Sequence, residues 1–155
     1  GIDGRGSITA FYPVLTEADD PNDPVADSAR AILDGHIVLS RRLAERGQYP
    51  AIDVEASISR VMSQITSREH QQAAKTLRHY YSLYEQNADL FNVGAYQRGA
   101  NPELDRAVAL RPALLAFLNQ DMREAVDFVA ATNALAAALA AVLAPDNKSA
   151  GAPPT

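Results

Sequence analysis

Residues 66–91, TSREHQQAAKTLRHYYSLYEQNADLF, are the stretch in which the hydrophobic pattern of the chain changes from that of strands to that of a helix. Apolar and aromatic side chains recur there every three to four positions, which is the spacing of one face of an α-helix. The side chains of this face are Ala73, Leu77, Tyr80, Tyr84, Ala88 and Phe91. Thr66 and Glu69 have the spacing of a capping box, so we expect the helix to begin at Thr66.

Two further helix starts follow this stretch. Asn101 is a cap residue that precedes a proline at the first helical position and an acid near the positive end of the helix. We expect Pro112 to kink or divide the helix that begins there. Asp121, with Glu124 three positions on, is expected to open a third helix, which Pro145 ends.

Upstream of residue 66, strand-like and short helical segments alternate. Residues 7–15, SITAFYPVL, form a near-continuous apolar run, which is typical of a strand buried on both faces in a parallel sheet. A short helical patch at residues 27–33 leads to GHIVLS, a second predicted buried strand. SRRLAERG then predicts a short helix that ends at Gly47.

The predicted fold class is therefore α/β followed by all-α. Residues 1–65 are expected to be the C-terminal portion of an α/β domain, with a partial parallel sheet whose earlier strands lie outside this sequence. Residues 66–144 are expected to be a helical C-terminal domain. Residues 145–155 are expected to be a disordered tail, since they have nothing to bury. The opening lacks a start methionine, so we expect a fragment of a longer protein.

Composition excludes several classes of function. The formal net charge is -5, from 19 acidic and 14 basic residues, so a nucleic-acid backbone is not expected as the principal ligand. The chain has no cysteine, which excludes disulfides and thiolate metal sites and fits a reducing cytosol. The longest apolar stretch, ALAAALAAVLA, is too short to span a bilayer.

The chain carries no complete catalytic set of its own. GAYQRGAN has the glycine spacing of a phosphate-binding P-loop, but Ala100 and Asn101 occupy the positions of the required lysine and serine or threonine. We interpret this segment as a turn between helices. His36, His70 and His79 are too far apart to predict a metal site, and no G-x-S-x-G nucleophile motif occurs.

Arg60 and Tyr49 are the side chains best suited to a nucleotide. A guanidinium can neutralise the charge that develops as a phosphoryl group leaves, and Arg60 has apolar neighbours that offer it no anion. Tyr49 has a flat ring that can stack on a base, and Pro50 stiffens the loop that presents it. From the residues alone, a structural ion pair for Arg60 and a core position for Tyr49 remain alternatives.

Four segments give the chain a family resemblance. They are GSITAFYPVL, DDPNDP, ARAILDGHIVLSRRLAERGQYPAIDVEASISRVM and VGAYQRGANPELDRAVAL. In this order they resemble the C-terminal part of the flagellum-specific ATP synthases, the ATPases of flagellar type III protein export. The pattern is shared with virulence type III secretion ATPases and, more distantly, with the α and β subunits of rotary ATP synthases. IDVEASISR is most similar to the flagellar members.

The resemblance implies the end of a RecA-like P-loop ATPase domain and a helical C-terminal domain, assembled as a homohexamer with ATP between subunits. Arg60 would then be the catalytic arginine finger offered to the neighbouring subunit's ATP, so we expect its partner to lie outside this chain. Tyr49 would stack on the adenine of the subunit's own nucleotide. Met122 falls where distant relatives place an aromatic that covers the other side of adenine. The loop DDPNDP implies a contact of Asp20 and Asp23 with a central stalk protein.

The P-loop, the catalytic glutamate and the Walker B aspartate of the family are not in this sequence. The resemblance implies that the intact ATPase binds ATP and Mg²⁺, that the magnesium ligands lie outside this chain, and that the chain alone is inactive. Its partners would be export chaperones, export substrates and a stalk protein, at a cytoplasmic site peripheral to the inner-membrane export gate.

The leading hypothesis is thus a part of a protein-exporting ATPase. The alternatives are a non-catalytic helical module that binds chaperones or a stalk protein, and an ATPase of virulence secretion. A nucleic-acid motor is disfavoured by the negative charge of the chain.

Overall fold

The structure is a computed structural model that describes Gly4, Gly6, residues 8–16 and residues 23–143. The predicted disordered tail, residues 145–155, and the predicted stalk contact Asp20 lie outside the described residues. None of the helices in residues 23–143 has the length and apolar character that a bilayer crossing requires.

The first part of the structure is a two-stranded sheet with two short helices. In chain order its elements are helix α1 (Pro24–Ile32), strand β1 (Gly35–Leu39), helix α2 (Arg41–Glu45) and strand β2 (Ile52–Ser59). Asp23 begins α1, because its carboxylate accepts hydrogen bonds from the backbone N–H groups of Val25 and Ala26 at 2.8 and 2.9 Å. The predicted helical patch, the strand within GHIVLS and the short helix before Gly47 are all present. The expectation that this strand is buried is wrong, because Ile37 and Leu39 are 63 and 72% exposed.

The two strands pair antiparallel rather than in the expected parallel direction. Gly35 lies opposite Ser59 and Leu39 opposite Ile52, with an irregularity in the pairing between His36 and Val38. The 12 positions between Leu39 and Ile52 contain only the five-residue α2, and so short a connection returns the chain beside the strand it has just left. The parallel-sheet expectation is therefore wrong for the strands in the described residues.

The buried strand expected at residues 7–15 is not seen either. Residues 8–16 form neither strand nor helix, and Ile8, Phe11 and Leu15 are 90, 85 and 96% exposed. A strand buried on both faces needs hydrogen-bonding strands beside it and covering helices above and below it. The β1–β2 pair offers residues 8–16 neither.

The second part of the structure is helical. It consists of α3 (Met62–Ile65), α4 (Arg68–Gln86), α5 (Ala88–Asn92), α6 (Pro102–Leu118) and α7 (Phe128–Leu143). The predicted start of α6 at Asn101 is confirmed, since its side chain accepts hydrogen bonds from the N–H groups of Glu103 and Leu104.

Three local expectations for these helices need correction. The cap of α4 is Ser67 rather than Thr66, because the Thr66 hydroxyl instead donates to the carbonyl of Met62 in α3. Helix α6 is not divided at Pro112, which lies inside its range. The third helix begins at Phe128 rather than at Asp121, whose carboxylate is used within its own turn by the N–H of Arg123.

Helices α4, α6 and α7 enclose one hydrophobic core. Its buried members are Leu77, Tyr80 and Tyr81 from α4, Ala107, Leu110 and Leu114 from α6, and Leu135 and Leu139 from α7. Leu114 and Leu139 are both 0% exposed. The packing of Leu110 and Leu114 on either side of Pro112 holds α6 together where proline removes a helical hydrogen bond. Val54 of β2 packs against this core, so the sheet and the helices are in contact.

The segment GAYQRGAN lies in the turn between α5 and α6, as predicted. Gly94 and Gly99 have φ angles of 69° and 92°, which favour glycine. The carboxylate of Asp105 accepts hydrogen bonds from the Tyr96 hydroxyl and from the Gly99 N–H, at 2.5 and 2.8 Å. The hydrogen bond to Asp105 raises the pKa of Tyr96 above its ordinary value. These contacts stabilise the turn.

A polar cluster links α2, α4 and α6. The carboxylate of Glu85 accepts from Arg111 at 2.6 Å and contacts Arg46 at 3.5 Å. The Arg111 guanidinium also lies over the rings of Tyr81 and Tyr84, 5.1 and 4.4 Å from their centroids. The Glu85 and Arg111 side chains are only 11 and 16% exposed, whereas Arg46 is 54% exposed. Glu85 is therefore the main counter-charge of a largely buried arginine.

Replacing Glu85 by alanine should destabilise the protein by about 3 kcal/mol, because the substitution leaves Arg111 buried without its carboxylate. The matched control is Arg46→Ala, which removes the exposed partner of the same carboxylate and should cost about 0.5 kcal/mol or less. Urea unfolding of the whole chain, followed by circular dichroism, measures both values. Equal losses for the two variants would contradict the assignment.

Candidate functional site

Tyr49 and Met122 both line one open groove. The groove has a volume of about 580 Å³, and its lining residues are Tyr49, Pro50, Gln120, Asp121, Met122 and Glu124. Tyr49 is 57% exposed and Met122 is 93% exposed. Two of the three site residues predicted from the sequence are thus brought together, although 72 positions lie between them in the chain.

The first wall of the groove is the loop after α2. Leu43 of this helix is buried, and the helix ends with Gly47 at a φ of 77°, the left-handed conformation in which helices commonly stop. The Gln48 N–H returns to the carbonyl of Leu43 at 3.0 Å. The chain then reaches Tyr49 and Pro50, which are joined by a cis peptide bond. The helix, held by its buried Leu43, therefore fixes where the loop starts, and Tyr49 is left exposed.

The second wall is the turn that follows α6. The Gln120 side chain donates to the carbonyl of Glu124 at 2.9 Å, and the N–H of Glu124 donates to the carbonyl of Asp121 at 3.0 Å. The Asp121 carboxylate accepts from the Arg123 N–H at 2.8 Å. These bonds close residues 120–124 into a compact turn that carries Met122 outward.

The two walls are joined through the backbone of Tyr49. Its N–H donates to Oδ1 of Asn119 at 3.2 Å, and its carbonyl accepts from the Gln120 N–H at 2.8 Å. Sequence reasoning missed both Asn119 and Gln120. The signal in the sequence was Asn119 itself, an asparagine directly after the last residue of α6, where it can cap the helix. Nothing in the sequence indicates that its side chain contacts Tyr49.

The chemistry of the lining suits a planar base and not a triphosphate. Tyr49, Pro50 and Met122 offer an aromatic ring and two apolar groups, which pack well against a π-face. The charged members of the lining are the carboxylates of Asp121 and Glu124, which repel phosphate. Carboxylate oxygens can instead accept a hydrogen bond from an exocyclic amine.

Arg60 lies outside this groove, directly after β2. Its backbone N–H donates to the carbonyl of Asp34 at 2.8 Å. Its guanidinium donates to the carbonyls of Arg30 and Ala31, at 3.0 and 3.4 Å, near the C-terminal end of α1. A cation is favourable at that end because helix carbonyls there carry partial negative charge. The expectation that Arg60 has its partner only outside the chain is therefore wrong.

Arg60 nevertheless remains accessible. The residue is exposed, and the two side-chain bonds use two of the five N–H donors of a guanidinium. The eight residues of β2 separate it from the Tyr49 loop, up to roughly 26 Å for an extended strand. Arg60 is not among the residues that line the groove of Tyr49.

Asp23 and the histidines have local structural contacts. Asp23, a predicted stalk contact, caps α1 with its carboxylate. His36 lies 3.1 Å from the carbonyl of Ala56, His70 stacks on Phe128, and His79 lies 3.8 Å from Glu103. Among the described residues, no group of three metal-ligating side chains is placed to hold an ion.

Comparison with known families gives the chain its relatives. Residues 1–59 match the nucleotide-binding domain of the ATP synthase alpha/beta family, and residues 66–137 match the C-terminal domain of the type III secretion ATPase EscN. The chain is therefore similar in sequence to the type III secretion ATPases. The resemblance stated from the sequence is thereby confirmed.

Flagellar and virulence type III secretion ATPases are similarly close to this chain. It is 56% identical to the flagellum-specific ATP synthase of Salmonella typhimurium over 135 residues, which is 87% of this chain and 30% of the relative. It is 58% identical to the type 3 secretion system ATPase of Pseudomonas syringae pv. tomato over 126 residues, which is 81% of this chain and 28% of the relative. The chain thus spans about 30% of the length of the curated relatives it matches.

The fold matches that of EscN from enteropathogenic E. coli. The structure of the assembled ATPase EscN superposes with a TM-score of 0.84 at 39% identity, covering 87% of this chain and 33% of EscN. EscN in complex with its central stalk EscO gives a TM-score of 0.71 at 35% identity, covering 75% of this chain and 29% of EscN. The predicted fold class, the end of an ATPase domain followed by a helical domain, is confirmed by this match.

Proposed function

We propose that this chain is the C-terminal part of a homohexameric ATPase that couples ATP hydrolysis to type III export of flagellar proteins. The observation that carries the proposal is the groove that joins Tyr49 and Met122 in a chain similar to this family. The flagellar system is favoured because the segment IDVEASISR is most similar to the flagellar members.

The groove would hold the adenine end of the subunit's own ATP. Tyr49 stacks on the base from one side and Met122 covers the other, while the acidic lining keeps the triphosphate directed away from the groove. The P-loop, the catalytic glutamate and the magnesium ligands belong to the intact ATPase outside this chain. Magnesium neutralises phosphate charge there, and the residues of this chain bind and orient the base.

Arg60 acts on a different nucleotide, the ATP of the neighbouring subunit. Its position directly after β2, its exposure and its remaining N–H donors support this role. The carbonyls of Arg30 and Ala31 hold the guanidinium in place before the neighbour's γ-phosphate arrives. Its charge then stabilises the transition state of phosphoryl transfer.

The partners of the chain are inferred from its similarity to EscN. EscN is known as an assembled ATPase and in complex with its central stalk EscO, and we extend a homohexamer and a stalk partner to this chain. The proposal also includes export chaperones and export substrates as partners, and a cytoplasmic position peripheral to the inner-membrane export gate. The stalk contact of the loop DDPNDP remains part of the proposal, with Asp23 held rigidly at the start of α1.

Tyr49→Ala in the intact ATPase should raise the KM for ATP by roughly 5- to 100-fold, which corresponds to the loss of one base-stacking contact. Tyr49→Phe keeps the ring and should stay near the wild-type KM. Steady-state kinetics over a range of ATP concentrations measure both. An unchanged KM for Tyr49→Ala would remove the base from this groove.

Arg60→Ala in the intact ATPase should lower kcat by about a thousandfold, because the transition state loses its arginine. Arg60→Lys keeps the charge without the guanidinium geometry and should recover only a small part of that loss. Thermal unfolding of the same variants is the control. A lower melting temperature with unchanged turnover would show that Arg60 only caps α1.

A further inference from the structure

The loop that carries Tyr49 takes its position from the helical region. Both backbone hydrogen-bonding groups of Tyr49 are bonded to residues that follow α6: the N–H to Oδ1 of Asn119, and the carbonyl to the N–H of Gln120. Asn119 and Tyr49 are separated by 70 positions in the chain. The Tyr49 loop, which forms one wall of the groove, is therefore hydrogen-bonded to the residues directly after α6, which form the other wall.

Asn119 itself is fixed by α6. Its backbone N–H donates to the carbonyl of Leu115 at 2.9 Å, so it continues the hydrogen bonding of the helix. Leu114, five positions before Asn119 in the chain, is 0% exposed in the three-helix core. The amide oxygen that reaches Tyr49 is thus carried by a well-packed element.

The Asn119 side chain does not line the groove. Tyr49 does, and its ring is more than half exposed, so side-chain packing does little to hold it. The placement of the ring depends instead on its backbone. A second contact of the same segment, between Arg46 and Glu85, is 3.5 Å long and has an arginine that is 54% exposed, so it contributes little.

We propose that Asn119 is a positioning residue of the nucleotide site, which holds the Tyr49 ring where the base stacks. This inference rests on the proposed role of Tyr49. Preorganisation of this kind raises affinity because the loop need not be ordered when the nucleotide binds. Removal of the Asn119 oxygen lets the loop move and weakens binding of ATP without changing the reacting groups.

The test compares four variants of the intact ATPase: Tyr49→Ala, Asn119→Ala, Asn119→Asp and the double variant Tyr49→Ala/Asn119→Ala. Asn119→Ala removes the acceptor and should raise the KM for ATP by about 3- to 10-fold, the size expected for one lost hydrogen bond, with kcat retained. Asn119→Asp keeps an acceptor oxygen at the same place and should restore most of the affinity. The double variant should have the KM of Tyr49→Ala alone, since Asn119 acts only through Tyr49.

The outcomes separate this inference from the proposed function. If Tyr49→Ala raises the KM and Asn119→Ala does not, Tyr49 contacts the base but Asn119 does not position it. If Tyr49→Ala leaves the KM unchanged, the base does not bind in this groove and both ideas fail. If Asn119→Ala lowers the melting temperature and kcat together without a KM change, its role is structural only.

Discussion

The contact of Leu114 in α6 with the core formed by α4 and α7 is the constraint on which the rest of this chain depends. Leu114 and Leu139 are fully buried, and the rows of leucine and tyrosine around them fix the three helices against one another. The end of α6 follows Leu114 by a single turn, so the core also fixes the turn at residues 120–124. The three-helix core therefore positions Asn119 and the turn at residues 120–124, which lie beside Tyr49.

The structure gives different surroundings to Tyr49 and Arg60, the two proposed nucleotide contacts, which lie only 11 positions apart in the sequence. Tyr49 stands at the start of β2 and faces a groove whose other wall comes from the helices. Arg60 stands at the far end of the same strand, where the carbonyls of α1 receive its guanidinium. Tyr49 and Arg60 therefore flank the two ends of one strand. This arrangement suits an assembly in which each subunit contacts two nucleotides.

Features decided by neighbouring residues could be predicted from the sequence. Asn101 caps α6 because its side chain reaches N–H groups two and three positions away. The end of α2 at Gly47 depends in the same way on a local backbone conformation. The sequence does not locate the start of α7, because Asp121 and Asp127 both have cap-forming side chains. In the fold, the Asp127 carboxylate accepts from the Ala130 N–H at the start of α7, whereas Asp121 closes a separate turn.

Features that depend on distant segments could not be predicted in this way. Residues 8–16 have the composition of a buried strand, but composition does not supply the neighbouring strands that a buried strand requires. The antiparallel pairing of β1 with β2 and the bond from Tyr49 to Asn119 join segments whose proximity no local pattern encodes. The family resemblance placed Tyr49 and Met122 at a nucleotide, yet it did not indicate which residue holds Tyr49.

The central claim is that Arg60 serves the nucleotide of a neighbouring subunit. Its most direct test is to mix intact subunits carrying Arg60→Ala with intact subunits whose P-loop lysine has been replaced, and to measure ATP turnover of the reassembled mixture. Each variant alone should be inactive. Mixed assemblies should regain turnover, because some interfaces then combine an intact P-loop with an intact Arg60. A mixture no more active than its two components would contradict the account.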